Sequence, residues 1–351
     1  MRASQLIMAI AGLLLLAGCA AAPGFEPPPL AKTGRYTDKQ LYHDITAEVA
    51  SGQAYHAAAA ELHRAHGYPL KPGFTVRLPT LAWASAALGW TALKAAAFGL
   101  LALLCVLWFF ALRTRAHWSE RLLAAGLVAG GGVLLTGHPV ILHERWAGLF
   151  LAMALAVRIG WRERWPLLVG GAALALAFRE LALPFVLLAL ACALWERQWR
   201  EASAWAALTA LFGAMLAAHL HAVSAQVLPG DLATQGWFDP TGPVGALKAV
   251  IFTSVLQYLP GTLAIPLALL PLLGWLGLGG REGWFCVLLF GGYALMFGLL
   301  GRPDTFYWGA VVQPAWFVGL AFLPRLTLRW HRRALDKRRP APNLASTGAP
   351  L

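Results

Sequence analysis

Three groups of residues have types and spacing that could do chemistry. The first is Tyr42-His43-Asp44, followed by Gly52, Tyr55 and the triplet Arg77-Leu78-Pro79. A carboxylate with a guanidinium nearby can act as a general base beside a phosphate-binding group. A solvated helix explains the same stretch, because Asp44 and Glu48 also form an ordinary i,i+4 polar face. The second group is His143-Glu144-Arg145-Trp146. Glu144 and Arg145 suit a catalytic pair, and equally an ion pair beside an anchoring tryptophan at a membrane boundary. The third is Arg179-Glu180, set between the apolar runs 167–178 and 181–194. Adjacent charges in such a setting are costly to insert and are functional candidates for that reason, although at the outer end of a hairpin the cost falls. Pro184 just beyond them points to a deliberate break. The histidines raise the question of a metal, with His219 and His221 two residues apart. That spacing puts them on different faces of a helix, and neither His-x-x-x-His nor His-Glu-x-x-His occurs, so a divalent metal has no support and no cofactor is required.

The elements that must position these groups follow from composition. Of 351 residues, 59% are hydrophobic and only 13% charged, against about a quarter charged in a soluble domain. The apolar residues run in blocks long enough to cross a bilayer. A disordered chain, a cytosolic enzyme and a nucleic-acid module are excluded as the main reading, and membrane lipids become the expected surroundings. The net charge of +12 sits in short Lys/Arg clusters between apolar blocks, the pattern of cytoplasmic loops. Of the four cysteines, Cys105, Cys192 and Cys286 lie within apolar blocks and Cys19 ends the first, so no disulfide frame or cysteine-based zinc site is expected.

The expected fold is all-α: a polytopic bundle of about ten spans with one helical extracytoplasmic loop. Residues 1–22 form a first transmembrane helix or a lipoprotein-like signal segment, since Leu16-Ala17-Gly18-Cys19 resembles a lipobox. Residues 23–80 are the extracytoplasmic loop, with a proline-rich linker and then a helical stretch from Tyr36 to His66 that Thr37 can cap. Residues 81–328 are the multi-span domain, with blocks at 81–112, 122–136, 140–157, 166–178, 181–195, 204–223, 261–279, 284–300 and 309–323. The first of these is too long for one perpendicular crossing, so its part before Lys94 should lie along or tilt within the interface. Short blocks around Arg179 suit a half-spanning hairpin. Residues 329–351 are a basic cytoplasmic tail. The Lys/Arg bias puts both termini inside a bacterial plasma membrane and most acids and histidines outside. Tryptophans flanking the blocks, among them Trp146, Trp161, Trp165, Trp195, Trp199 and Trp330, are expected as interfacial anchors.

Together these features resemble the GT-C class of integral-membrane glycosyltransferases, which use polyprenyl-phosphate sugars. Asp44, Gly52-x-x-Tyr55 and Arg77-x-Pro79 are similar to that family's Asp, Gly-x-x-Tyr and Arg-Pro elements. Glu144 ahead of Leu149-Phe150-Leu151 resembles its second acidic position, and Arg179-Glu180 an Arg-Glu element of related bacterial membrane proteins. The likeness spans residues 1–325 through short motifs. Two departures stand out: a proline linker separates Asp44 from the first span, and the chain ends in a basic tail where many members carry a soluble domain. The resemblance implies that Asp44 deprotonates an acceptor hydroxyl while Arg77, Arg179 and Arg302 hold the donor phosphate and Glu144 assists. Glu180, Tyr55 and His143 complete the implied substrate-binding set. The alternatives are a transporter or flippase, which would place polar groups near the bilayer midplane, and a non-catalytic assembly protein.

Overall fold

The computed structural model describes residues 36–133, 138–236 and 240–326. The segment 1–22 with Cys19, the proline linker and the tail 329–351 with Trp330 lie outside the described residues. Every regular element among the described residues is helical, apart from an isolated bridge between Lys71 and Ala233.

The polar segment folds first as α1 (Asp38–Ala50) and α2 (Tyr55–Ala65). Thr37 caps α1 in a reciprocal capping box with Gln40: its hydroxyl accepts from the Gln40 N–H, and its own N–H donates to Gln40 Oε1 at 2.8 Å. The single helical stretch expected from Tyr36 to His66 is broken at Gly52, whose φ of +101° favours glycine. Leu41, Ile45, Tyr55, Ala59, Leu70, Val76 and Val223 make a small core beneath these helices.

The chain then enters the bundle. α3 (Thr80–Leu88) ends at Gly89, at φ +79°, and α4 (Trp90–Ala111) begins. The long block 81–112 therefore divides at Gly89, and Lys94 lies within α4. α5 (Trp118–Val133), α6 (His143–Gly160), α7 (Trp165–Phe178), α8 (Leu183–Trp195), α9 (Trp199–Ser224), α10 (Gly242–Phe252), α11 (Gly261–Leu278) and α12 (Gly280–Leu300) follow. A pair of helical segments, Pro303–Val311 and Gln313–Leu326, meets at 62°. Among the described residues, four helices (α4, α9, α11 and α12) are long and apolar enough to cross a membrane, five if the bent pair is one span. That is fewer than the ten blocks counted from hydropathy. The 14 residues of α7 and 13 of α8 reach only about 20 Å each at 1.5 Å per residue, short of a ~30 Å hydrocarbon core. α6 carries Glu144, Arg145 and Arg158, all buried within the protein.

Close packing rests on small residues, as in membrane bundles generally. A Cβ at Gly274 would collide with the Gly319 carbonyl, and one at Gly309 with that of Ala249. Trp108, Trp205, Trp275 and Trp316 are fully buried, with the Trp275 ring stacked on Phe290 at 5.5 Å. Trp195 and Trp199 are exposed like interfacial anchors, at 90% and 66%. Trp146 is not one of them: its indole N–H donates to Val140 O at 2.8 Å and its ring stacks on Phe178.

Charges separate to the two ends of the bundle. At one end Arg158 meets Glu282 at 2.9 Å and lies over the Phe285 ring. Arg162 there reaches Glu196 at 2.6 Å, Glu282 at 3.3 Å and Glu201 at 3.7 Å. Arg325 pairs with Glu120, and Arg113 lies over Trp161. About 21 Å away along α6, from Arg158 back to Glu144, the other end holds the 36–80 segment and a large cavity.

Candidate functional site

The cavity measures about 960 Å³ and is walled by four separate stretches of chain. Asp38 and Tyr42 come from α1, and His63, Tyr68 and Arg77 from the rest of the polar segment. Arg179 and Glu180 come from the α7–α8 break, Thr234 and Gln235 from the α9–α10 connection, and Arg302, Asp304 and Tyr307 from the stretch after α12.

The α7–α8 break is what turns Arg179 into this space. Arg179 leaves α7 in extended conformation, φ −156° and ψ 127°, and Pro184 in the first turn of α8 starts the next helix. Its Nε donates to Glu144 Oε1 at 2.6 Å and its Nη1 to Glu180. Glu144 is 1% exposed, so it acts as the buried counter-charge that lets a guanidinium sit at the cavity floor.

Arg77 is held differently. The Tyr55 hydroxyl donates to its backbone carbonyl at 2.6 Å, and its Nη2 donates to the Tyr307 hydroxyl at 2.9 Å. Arg179 and Arg302 each contact a carboxylate, whereas Arg77 forms no ion pair among the described residues. The acids show the mirror image. Glu180 pairs with Arg179 and Asp304 with Arg302. Asp38 has no cationic partner among the described residues and accepts only from the Tyr68 hydroxyl, at 2.9 Å. Burial pushes the Tyr42 phenol, one turn along from Asp38, up to about 12, so it stays protonated. Burial also lowers the His63 imidazole; its Nδ1 faces Pro69 O at 3.0 Å and donates there, which leaves Nε2 as an acceptor.

Of the residues singled out in sequence, the fold brings Arg77, Arg179, Glu180 and Arg302 to one cavity. Glu144 and Tyr55 stand one layer behind, gripping Arg179 and Arg77. His143 is buried against the edge of the Tyr42 ring, 5.4 Å between centroids. Asp44 is not among the cavity residues; it is exposed and accepts from the Tyr36 hydroxyl at 2.5 Å. Helical phase is the reason. Asp38 stands three and four residues before Leu41 and Tyr42, on the inward face, while Asp44 lies about 240° further round. That phase was readable beforehand from buried Leu41 and Ile45. Tyr307, Asp304, Thr234 and Gln235 had no local signal.

His219 pairs with His56, Nδ1 to Nε2 at 3.1 Å, and its Nε2 faces Val76 O at 3.1 Å. These rings tie α2 to α9 beside Arg77. Among the described residues no group of three or more His, Cys, Asp or Glu is placed to hold a metal ion. No protein-family model, curated protein or solved structure matches the chain.

Proposed function

We propose that the protein is an integral-membrane glycosyltransferase of the GT-C kind, working in the cavity at one end of the bundle. In this reading it moves a sugar from a polyprenyl-phosphate donor to an acceptor hydroxyl. The observation that carries it is the coexistence, in one cavity, of a guanidinium without a carboxylate and a carboxylate without a cation, Arg77 and Asp38. Unmatched charges of both signs suit a reaction that needs an anion held and a proton removed at once. Arg77 takes the donor phosphate through paired N–H bonds, the geometry guanidinium favours. Arg179 and Arg302 flank it, already balanced by Glu144 and Asp304. Asp38 removes the acceptor proton, replacing Asp44 in the role the resemblance implied. As the sugar–oxygen bond to the donor breaks, charge gathers on the leaving phosphate and Arg77 stabilises it.

The positive-inside bias of the sequence supports an orientation with this cavity outside the cytoplasm and the ion-paired end inside, in a bacterial plasma membrane. All the cavity's lining residues come from one end, which favours surface chemistry over a transport path through the bundle.

The test is transfer of labelled sugar from a polyprenyl-phosphate donor by the full chain in lipid nanodiscs. The proposal expects turnover that Asp38→Asn and Arg77→Ala each lower at least about 10²-fold while the protein stays folded. Turnover left intact by both substitutions would overturn the site assignment, and absence of donor binding to the wild-type chain would overturn the function.

A further inference from the structure

The described part of the connection between α9 and α10, residues 226–236, borders the cavity as a strap, with Thr234 and Gln235 lining it. Its two sides are fastened by different means. Toward the polar segment, Arg64 forms a two-pronged pair with Asp231, Nε to Oδ1 at 2.7 Å and Nη2 to Oδ2 at 2.9 Å. Backbone bonds add to it: Leu70 and Lys71 N–H groups donate to Leu232 O, and the Thr234 N–H donates to Lys71 O at 2.7 Å. Toward the bundle, the fastening is Arg302. Its Nη1 donates to the Thr234 hydroxyl at 3.0 Å and to Gln235 O at 3.1 Å. Thr234 is thus gripped from both walls, and it lines the cavity with Gln235 and Arg302.

The Arg302 guanidinium divides its donors by kind. Nε and Nη2 face the Asp304 carboxylate, both at 3.1 Å, while Nη1 serves two neutral oxygens. Charge-assisted bonds are roughly twice as strong as bonds to neutral partners. An anionic group in the cavity can therefore take Nη1 from Thr234 and Gln235 without disturbing the Arg302–Asp304 pair. We propose that Arg302 is a releasable clasp on the strap, opened by an anionic, phosphate-like ligand, so that ligand binding frees the 234–236 end while the Arg64–Asp231 side stays anchored. The ligand half of this inference rests on the anion-binding reading of the cavity. The clasp half does not.

Amide hydrogen exchange of the full chain in nanodiscs tests both halves, because the Leu70, Lys71 and Thr234 amides lie on the bonds that the clasp steadies. Arg302→Gln should speed exchange at the strap peptide by about tenfold in ligand-free protein. Thr234→Val, which leaves the Arg302–Asp304 pair alone, should speed it less. Unchanged exchange in both variants would overturn the clasp. Inorganic pyrophosphate, against sodium chloride at matched ionic strength, should speed exchange of the wild-type strap and leave Arg302→Gln unaffected. Wild-type exchange that stays constant or slows with pyrophosphate would overturn release by an anion. Sugar transfer is measured separately, so a failed clasp with intact turnover, or a working clasp without turnover, tells the two proposals apart.

Discussion

Both ends of the bundle collect guanidinium and carboxylate groups, and the difference between them lies in closure. At the ion-paired end, Arg162 has carboxylates of Glu196, Glu201 and Glu282 within 3.7 Å, and Arg158 is pressed between Glu282 and the Phe285 ring. At the cavity end, buried pairs such as Arg179–Glu144 stop short of satisfying every charge, and Arg77 and Asp38 remain for something else. A cluster of charges alone therefore does not make a site. Charge without an ion-pair partner that faces open volume is the stronger candidate, because such a group has most to gain by meeting a ligand.

The comparison breaks most readily at its structural end. Arg158→Ala leaves the buried Glu282 carboxylate with the more distant Arg162 alone, at 3.3 Å, and should cost up to about 3–5 kcal/mol, the penalty for half of a buried pair. The loss should show as a lower melting temperature in detergent, and Arg158→Met with Glu282→Leu should recover much of it. If Arg158→Ala melts like the wild type, the ion-paired end is not a structural clamp.

Arg77→Ala should do the reverse. Melting should move less than for Arg158→Ala, since the Tyr307 hydrogen bond is lost but no ion pair, while sugar transfer falls about 10²–10³-fold, as when one donor to a developing anion is removed. Arg77→Lys should restore part of the rate, because an ammonium keeps the charge and loses the fork. A large drop in melting temperature for Arg77→Ala would merge the two ends into one kind of structure.

Acid should loosen the cavity end at its strap. The Arg64 guanidinium bonded to Asp231, with help from the Leu228 N–H, holds that carboxyl down at about 2, below an ordinary aspartate near 4. A depressed folded value contributes stability that is complete above the unfolded value and fades as pH falls toward the folded one. Limited proteolysis within 226–236 should thus be constant above about pH 4 and rise between there and about pH 2. Asp231→Asn should remove that dependence.

The smallest effect is expected at Asp44. Asp44→Asn weakens one exposed bond to Tyr36 and should change stability by no more than about 1 kcal/mol and turnover hardly at all. A turnover loss as large as that of Arg77→Ala would return Asp44 to the mechanism and displace Asp38.

Much of the bundle was legible in the chain. The capping of α1 followed from Thr37, and the α7–α8 interruption from Arg179-Glu180 with Pro184; the excess length of block 81–112 was also visible, though the break at Gly89 was not placed. Separation of the charges into two sets followed from their order along the chain. The number of full crossings was not legible in this way. The short blocks around Arg179 already suited a half-spanning hairpin, and α7 and α8 are indeed short, but only the packed structure shows that the charges of α6 face protein.

At the site, sequence named Arg179 and Glu180 because charge beside apolar sequence is costly and therefore conspicuous, and Arg77 and Arg302 as phosphate-binding groups through the family resemblance. It put Asp44 ahead of Asp38 because motif spacing ignores helical phase. It attached no significance to Tyr307, Thr234 or Asp231, which are unremarkable in their own neighbourhoods.

Sequence by itself determined that this chain is helical, membrane-embedded and charged mainly at helix ends, since those properties follow from local composition and from the energy of placing charge in hydrocarbon. Only the tertiary structure decided which charges cancel and which face the cavity. Ion pairing is set by contacts between residues far apart in the chain, such as Arg179 with Glu144 and Arg64 with Asp231, and no local pattern encodes them.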